Sequence, residues 1–224
     1  MFSGIDLCEL ILYNIAYEIL GGCTSIVTQS NSGQMLHGRN LDFGLGPFNA
    51  TEEQWDMTDA LRPLLTTINF QKGGETVYTS VHYLGYVGFL TAVKKGAFSI
   101  TVDTRFDNNY DHYLSEWLND RNDTAHFLSF LTRDTMDQEP DFDSAVQRLA
   151  TTTMVGPSYI IVGGVSEGQG MVITNAPNTT QAYNMWPLSD GFPSNNASQA
   201  PWYLLETNYG NIMFFMCWHV CSLI

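Results

Sequence analysis

The chain has 224 residues, of which 44% are hydrophobic and 13% aromatic, and it has a formal net charge of −14 at pH 7. This length and apolar content suffice for one hydrophobic core and predict a single domain. With 23 acidic residues against 9 Lys and Arg, the surface cannot supply the phosphate neutralisation on which nucleic-acid binding depends. No run of 18 apolar residues is available to span a membrane.

Signals for the cellular compartment point in two directions. Four N-glycosylation sequons indicate the secretory route. Their asparagines are Asn49, Asn122, Asn178 and Asn196. The first twenty residues have no basic region and contain three acidic residues, so they predict a helix rather than a signal peptide. Either a leader precedes Met1, or the protein is cytosolic and the sequons are unused. The four cysteines allow three disulfide pairings and do not decide between the secretory and the cytosolic compartment. They are Cys8, Cys23, Cys217 and Cys221.

The first half of the chain predicts one helix followed by a sheet. Residues 5–20 form an apolar segment that predicts a buried helix, ended by Gly21-Gly22. Short runs rich in β-branched and aromatic residues then predict six strands separated by turn signals, over 24–29, 35–40, 65–71, 76–83, 86–93 and 97–103.

The second half predicts three helices and then strands again. Apolar residues spaced three and four apart indicate helices over 110–119, 125–136 and 142–151. Strands are predicted over 158–162, 171–174 and 202–207. This order favours an α+β fold with mainly antiparallel sheets over a wound βαβ sheet. The glycine-rich segment 163–170 lacks the lysine and following helix of a phosphate loop, so it is interpreted as a hairpin turn.

The first two predicted strands bring Cys23 close to a charged cluster. If they pair with Gln29 opposite Gln34, Cys23 lies opposite Asn40. Side chains alternate between the two faces of a strand, so a change of one residue in register decides whether Arg39 or Asn40 shares the face of the cysteine. The sequence leaves this choice open.

Chemically, the cluster has a functional and a structural interpretation. A cation beside a thiol stabilises the thiolate, which is the nucleophilic form, and Arg39 is suitably placed for this role. Asp42 can then orient Arg39 or an adjacent amine. In the structural interpretation, Cys23 is a buried residue at a strand end, and Arg39 and Asp42 form an ion pair on the surface.

Two motifs carry a family resemblance: "CTSIV" at 23–27 and "HGRNLDF" at 37–43. They resemble the start of the mature β-subunit in the acid ceramidase family, and the related N-acylethanolamine acid amidases have a similar element. The likeness continues through "YNIAYEI" (13–19), "NFQKGGETVY" (69–78), "GYVGFLTAVKKGAFSIT" (85–101), "FLTR" (130–133) and "TNY" (207–209). The sequences of these segments resemble the ceramidases more closely than the amidases.

The resemblance implies an N-terminal-nucleophile (Ntn) hydrolase, whose αββα fold places two mainly antiparallel sheets between helices. Such precursors cut themselves before the nucleophile, so the expected cut is at Gly22–Cys23. Cys23 would then supply a thiol nucleophile and an α-amine base in one residue. Arg39 and Asp42 correspond to active-site positions of the family, and Asn208 corresponds to the amide that donates to the oxyanion.

The same resemblance implies a division of the chain and a substrate. Residues 1–22 would be the end of the propeptide or α-subunit, 23–209 the β-subunit core, and 210–224 a divergent tail. The implied reaction splits N-acylsphingosine into fatty acid and sphingosine. The alternatives are an N-acylethanolamine acid amidase and, from another class, an inactive lipid-binding fragment.

The implied setting is a lysosomal or secreted glycoprotein that needs no cofactor. Its partners would be a lipid substrate (ceramide or another N-acyl amide), lipid surfaces and a lipid-transfer activator protein, with α- and β-subunits cut from one precursor and no nucleic acid. Carboxylates titrate near pH 4, so the negative charge that opposes contact with anionic lipid falls in an acidic lumen.

Several features depart from the family or are given no role. The family has a further arginine beyond "TNY", whereas 210–224 contains none. The family precursor also has a longer segment before its nucleophile than the 22 residues found here, so the fold is expected to be incomplete at both ends. Relatives often have an acidic residue where this chain has Thr104. Cys217-x-His219-x-Cys221 lacks a second ligand pair, so no metal site is predicted. Two groups remain with structural interpretations at least as good as functional ones: the histidines at 37, 82, 112 and 126, and the aromatic residues Phe70, Tyr78, Tyr83, Tyr86 and Phe89.

Overall fold

The computed structural model describes residues 6–15, 22–42, 48–51, 54–106, 110–120, 124–177, 182, 184–190 and 202–208. Within these ranges the helices are α1 (Leu7–Ile15), α2 (Asp56–Leu61), α3 (Tyr110–Asp120), α4 (Leu128–Gln138) and α5 (Phe142–Thr151). The strands are β1 (Gly22–Gln29), β2 (Met35–Asp42), β3 (Phe48–Asn49), β4 (Gln54–Trp55), β5 (Leu65–Lys72), β6 (Glu75–Tyr83), β7 (Thr91–Lys94), β8 (Phe98–Thr104), β9 (Ser158–Gly163), β10 (Gly170–Asn175), β11 (Asn184–Pro187) and β12 (Tyr203–Glu206).

The strands form two larger sheets and a small ribbon. One sheet has three strands in the order β12-β1-β2, and the other has seven in the order β11-β10-β9-β8-β7-β6-β5. The short strands β3 and β4 pair with each other. All pairings between the described strands are antiparallel. The prediction of an α+β fold with antiparallel sheets is therefore confirmed.

The seven-stranded sheet is the middle layer, and this explains the apolar sequence of β9. On one face of β9, Ile161 belongs to a buried cluster with Val27 of β1 and Leu204 of β12. On the other face, Ile160 belongs to the main core together with Leu149 of α5. Because β9 is covered on both faces, all six of its residues are buried and it shows no alternation of polar and apolar residues. Positions that face the smaller sheet are therefore as buried as those that face the helices.

The helices α4 and α5 cover this sheet, and α5 begins with a defined cap. The Asp141 carboxylate accepts a hydrogen bond from the Ser144 backbone N–H at 2.9 Å, and Ser144 Oγ accepts one from the Asp141 N–H, which completes a capping box. Leu149 and Ala145 then lie on the buried face of the helix. The predicted helix over 142–151 is confirmed.

The segment predicted as a strand over 86–93 is mostly not a strand. Only Thr91–Lys94 pairs as β7, and residues 84–90 form turns and bends. A Cβ added at Gly88 would lie 2.2 Å from Cβ of Ser129, so the backbone packs directly against α4. Val87 bonds to side chains instead of a neighbouring strand: its N–H donates to Asn14, and its carbonyl accepts from Arg133 at 2.7 Å. Contacts with two helices thus replace the strand pairing.

Two helix predictions also need correction. Helix α1 was expected to be buried, yet three of its apolar side chains are exposed: Leu7 (71%), Leu10 (42%) and Ile11 (51%). The helix predicted from residue 125 begins at Leu128, because His126 forms a β-bridge with Met154 instead. The sequence reasoning missed α2, β3, β4 and β11. In the described part of the chain, none of the helices has the length and apolarity needed to cross a membrane.

Candidate active site

The hairpin of β1 and β2 sets the geometry of the site through its turn. Ser30 and Gln34 close a three-residue loop, with the Ser30 N–H donating to the Gln34 carbonyl at 2.9 Å, and Gly33 takes the left-handed backbone conformation (φ +80°) that this loop requires. The resulting register places Cys23 opposite Leu41. The predicted pairing of Cys23 with the preceding residue, Asn40, is wrong by one position.

This register puts Arg39 on the same face as the cysteine. Cys23 pairs with Leu41, and Ser25 pairs with Arg39, so these four side chains lie on one face of the hairpin. Asn40 pairs with Thr24 on the opposite face and is exposed. The choice that the sequence left open is thereby decided in favour of Arg39.

The Arg39 guanidinium lies between the two sheets and contacts the cysteine sulfur. Its Nη2 atom is 2.9 Å from Sγ of Cys23 and donates to the Val102 carbonyl at 2.6 Å. Nη1 donates to the Thr91 hydroxyl at 3.0 Å, and Nε is 3.7 Å from Oδ1 of Asp103. Only 4% of the Arg39 side chain is exposed, so the interpretation of Arg39 as half of a surface ion pair is wrong.

Asn208 lies at the backbone of the cysteine. The Cys23 N–H donates to Oδ1 of Asn208 at 2.7 Å, and Nδ2 of Asn208 donates to the Thr104 carbonyl. Strand β12 pairs with β1 and ends at Glu206, which brings Asn208 to this position across 185 residues of sequence. Cys23 (2% exposed) and Asn208 (6% exposed) are both buried.

The remaining predicted residues receive little structural information. Asp42 ends β2 opposite Gly22, but its side chain lies outside the described part of the structure. Asn49 belongs to β3, and its side chain is likewise outside it. The other residues that fall outside the described ranges are Asn122, Asn178, Asn196, Cys217, His219 and Cys221. Cys8 is a free, exposed thiol.

Sequence reasoning missed a second carboxylate at the site, Asp103 of β8. Its side chain is fully buried and accepts a hydrogen bond from Ser25 Oγ at 2.8 Å, in addition to its contact with Arg39. The signal was present in "FSITVDT", where polar and apolar residues alternate up to Asp103, the one acidic residue of the segment. Thr104, which had been considered, contributes its backbone carbonyl.

Two further titratable groups lie near these residues, the partly buried His37 and the buried Glu206. His37 on β2 contacts Ser99 Oγ through Nδ1 (2.7 Å) and Thr101 Oγ1 through Nε2 (2.9 Å). Burial, assisted by the charge of Arg39, lowers the pKa of His37 to about 4, so the ring is neutral across most of the acid range. Burial also raises the pKa of Glu206 to about 7. The histidine thus has a structural explanation, as the sequence suggested.

Two cavities adjoin the guanidinium. One has a volume of about 470 Å³ and the other about 210 Å³, and both are bordered by Arg39, Val81 and Thr91. Tyr83 and Tyr86 line the smaller cavity. Of the aromatic residues given no role by the sequence, Tyr78, Tyr86 and Phe89 belong to the main core. The described side chains include no group of three or more His, Cys, Asp or Glu arranged to hold a metal ion.

The arrangement suits nucleophilic chemistry on a carbonyl group. A guanidinium in contact with sulfur favours the thiolate form of a cysteine. The Asn208 side chain bonds the nitrogen of the same residue whose sulfur contacts Arg39. Cavities beside Arg39 give space for an apolar substrate.

Comparisons with known proteins agree with this chemistry. The family model "Linear amide C-N hydrolases, choloylglycine hydrolase family" matches residues 23–185, so the match begins at Cys23. Acid ceramidases of Mus musculus and Homo sapiens are each 36% identical to this chain, over 211 and 210 residues. Each alignment covers 92% of this chain and 50% of the relative, so the chain spans about half the length of these relatives.

A solved structure supports the same assignment. The Caenorhabditis elegans N-acylethanolamine-hydrolyzing acid amidase (NAAA) ortholog is 31% identical, with a TM-score of 0.65 over 84% of this chain and 71% of that chain. Its likeness extends to the two antiparallel sheets, which are those of an Ntn hydrolase. The chain therefore belongs to the choloylglycine hydrolase family of linear amide C–N hydrolases.

Proposed function

We propose that this protein is an acid ceramidase-like amidohydrolase that splits the amide bond of N-acylsphingosine. The observation that carries the proposal is the placement of one cysteine between two groups: Arg39 lies 2.9 Å from its sulfur, and Asn208 lies 2.7 Å from its nitrogen. The two acid ceramidases, at 36% identity, are the basis for the choice of substrate.

The proposed chemistry begins with self-cleavage, in which water hydrolyses the Gly22–Cys23 peptide bond and leaves a carboxylate on Gly22 and a free α-amine on Cys23. Sγ then attacks the amide carbon of the substrate, and the α-amine takes up the thiol proton. Collapse of the tetrahedral intermediate breaks the C–N bond, and the proton passes to the departing sphingoid amine. Water attacks the resulting thioester, releases the fatty acid and regenerates the thiol.

Two side chains would support these steps. The Asn208 amide has two N–H donors, one of which bonds the Thr104 carbonyl, so the second can donate to the oxyanion while Oδ1 holds the Cys23 nitrogen. Arg39 would stabilise the thiolate. Asp42, at the end of β2 opposite Gly22, is proposed as a further active-site residue beside the cleavage point.

The test uses the two described cysteines as a matched pair. The expressed chain and its Cys23→Ala and Cys8→Ala variants are incubated at pH 4.5, then examined by gel electrophoresis, amino-terminal sequencing and hydrolysis of N-acylsphingosine. The parent and Cys8→Ala are expected to show a new amino-terminal cysteine and fatty-acid release, because Cys8 is exposed and lies on helix α1, whereas Cys23 lies on strand β1. Cys23→Ala should show neither.

Two outcomes would contradict the proposal. One is a parent chain that neither cleaves nor hydrolyses the substrate. The other is equal activity in the parent and Cys23→Ala. An inactive parent that binds lipid vesicles as well as Cys23→Ala does would favour the inactive lipid-binding alternative.

N-acylethanolamine hydrolysis is the second candidate, and the C. elegans amidase structure favours it. Both substrates contain a fatty amide and differ in the leaving amine. Parallel assays with matched acyl chains distinguish the two, because the ratio of kcat/KM values reports discrimination of that amine. A ratio in favour of N-acylsphingosine supports the first candidate.

The setting of the reaction is part of the same proposal. We expect activity in an acidic compartment, lysosomal or secreted, on substrate presented at a lipid surface or by a lipid-transfer activator protein. Residues 1–22 would remain as the end of an α-subunit, and 23–209 would form the β-subunit core. Glycosylation is expected at the four sequons, and digestion with a glycosidase would reveal it as a loss of mass.

A further inference from the structure

A chain of buried hydroxyl and carboxyl groups continues from the candidate active site into the space between the sheets. Thr101 Oγ1 donates to Ser25 Oγ at 2.8 Å, and Ser25 Oγ donates to Asp103 Oδ1 at 2.8 Å. The same carboxylate oxygen is 3.7 Å from Nε of Arg39. None of Ser25, Thr101 and Asp103 is more than 3% exposed.

A fully buried carboxylate is unfavourable unless it is hydrogen-bonded and has a counter-charge nearby. Asp103 meets both conditions, through Ser25 and Arg39 respectively. Asp103 is also the one charged residue in β8 and β9, which otherwise contain apolar residues, hydroxyl-bearing residues and a glycine. The presence of a buried carboxylate between two sheets, where its desolvation is unfavourable, suggests that Asp103 has a role beyond packing.

The contacts of Arg39 show what that role can be. Its two Nη atoms reach Cys23, Thr91 and Val102, whereas Asp103 approaches Nε at the inner end of the guanidinium. Among these partners Asp103 is the one carboxylate. An attraction at Nε would hold the guanidinium in its present orientation, in which Nη2 lies 2.9 Å from the sulfur.

We propose that Asp103 is a positioning residue, whose carboxylate, fixed by Ser25, holds the Arg39 guanidinium against the Cys23 sulfur. The inference rests on the proposed function and extends it to two residues outside the predicted active-site set. Ser25 lies two residues beyond the nucleophile on β1, so the strand that bears the sulfur also orients the group that activates it.

A plain counter-charge role makes the opposite prediction. If Arg39 stayed in place without Asp103, removal of a nearby negative charge would favour the thiolate and make the sulfur more reactive. If Asp103 positions Arg39, its loss lets the guanidinium move and makes the sulfur less reactive. The sign of the change therefore separates the two roles.

The experiment measures alkylation of Cys23 by iodoacetamide from pH 5 to 9, with peptide mass spectrometry as the readout and Cys8 as the internal control. Asp103→Asn should slow alkylation of Cys23 about tenfold at pH 6, with the difference narrowing toward pH 9, where thiols ionise without assistance. Ser25→Ala should slow it about threefold. Alkylation of Cys8 should not change.

The matched control is Glu206→Gln, which makes the same carboxyl-to-amide change opposite Ser25 on the neighbouring strand. At pH 5 it should leave alkylation of Cys23 within about twofold of the parent. Unchanged or faster alkylation in Asp103→Asn would overturn the proposal. Far-UV circular dichroism verifies that each variant is folded. If Asp103→Asn fails to fold, Ser25→Ala provides the test, because an unchanged rate of Cys23 alkylation in that variant also overturns the proposal.

Hydrolysis assays separate this inference from the proposed function. Alkylation needs no substrate, so its result stands whether or not the chain hydrolyses N-acylsphingosine. If hydrolysis occurs, Asp103→Asn should lower kcat about tenfold and leave KM within about threefold, because the residue acts on the nucleophile and not on substrate binding. If the parent hydrolyses the substrate but Cys23 is alkylated equally fast in the parent, Asp103→Asn and Ser25→Ala, the inference about Asp103 is refuted and the proposed function is not.

Discussion

Replacement of Glu206 by Gln should stabilise the protein at neutral pH and leave it unchanged in acid. The Glu206 carboxyl is 3% exposed on β12 and lies opposite Ser25. Burial raises its pKa from 4.5 to about 7; Asp103 adds to the shift, and the Thr207 N–H and Arg105 oppose it. The folded protein therefore holds this proton more tightly than the unfolded chain does.

The sign and magnitude follow from proton linkage. Because the folded pKa is raised, the contribution to stability is fully present below pH 4.5 and is lost as the pH rises through about 7. At about 1.4 kcal/mol per pKa unit, the loss by pH 8 amounts to about 3 kcal/mol. Glu206→Gln cannot ionise and keeps an oxygen to accept the Thr207 N–H, so it avoids this loss.

Denaturant unfolding at pH 4.5 and pH 8, followed by tryptophan fluorescence, measures the effect. The variant should exceed the parent by about 3 kcal/mol at pH 8, or about 6–12 °C in melting temperature, and match it at pH 4.5. Glu75→Gln, on the surface at the start of β6, is the control and should change stability by less than about 0.5 kcal/mol at either pH. Equal stability of parent and Glu206→Gln at pH 8 would refute the reasoning.

Three further variants test other parts of the structure by denaturant unfolding. Asp141→Ala removes the cap of α5 and should cost about 1 kcal/mol, whereas a full loss of the helix would show that the Ser144 N–H contact is not a simple cap. Gly88→Ala should destabilise by more than 1 kcal/mol, since its Cβ would lie 2.2 Å from Ser129. His37→Gln should reduce the pH dependence of the free energy of unfolding. In the parent, the lowered pKa of His37, about 4, makes this free energy fall by up to about 3 kcal/mol as the pH falls from 6.5 to 4. A parent that gains stability over that range would contradict this sign.

Local sequence patterns predicted most of the secondary structure, and they failed where long-range contacts decide. Periodic segments such as 142–151 became helices at the predicted bounds. The run 86–93 had strand-like residues, but the close approach of Gly88 to α4 and the bond from Val87 to Asn14 are tertiary and cannot be derived from local propensity. Strand β11 was missed because four residues at a sheet edge give little pattern.

The candidate site was predicted only in part, because long-range contacts also decide which side chains meet there. The family motifs identified Cys23, Arg39 and Asn208, and the structure brings these three together. Asp103 was missed because alternation in β8 suggests a half-exposed strand, whereas its polar positions face a second sheet. The register was missed because the turn residues fit either a three-residue or a four-residue loop, and only the closing pair of Ser30 and Gln34 distinguishes them.

The turn at 31–33 has a consequence for how this protein can vary. It lies six residue pairs from Cys23, roughly 20 Å along the strand, and touches none of the reacting groups. Yet the addition or loss of one residue there would rotate Arg39 to the outer face of the hairpin and bring Asn40 inward. Selection on this turn should therefore act on its length rather than on its chemistry, so that insertions and deletions are purged while most substitutions are tolerated.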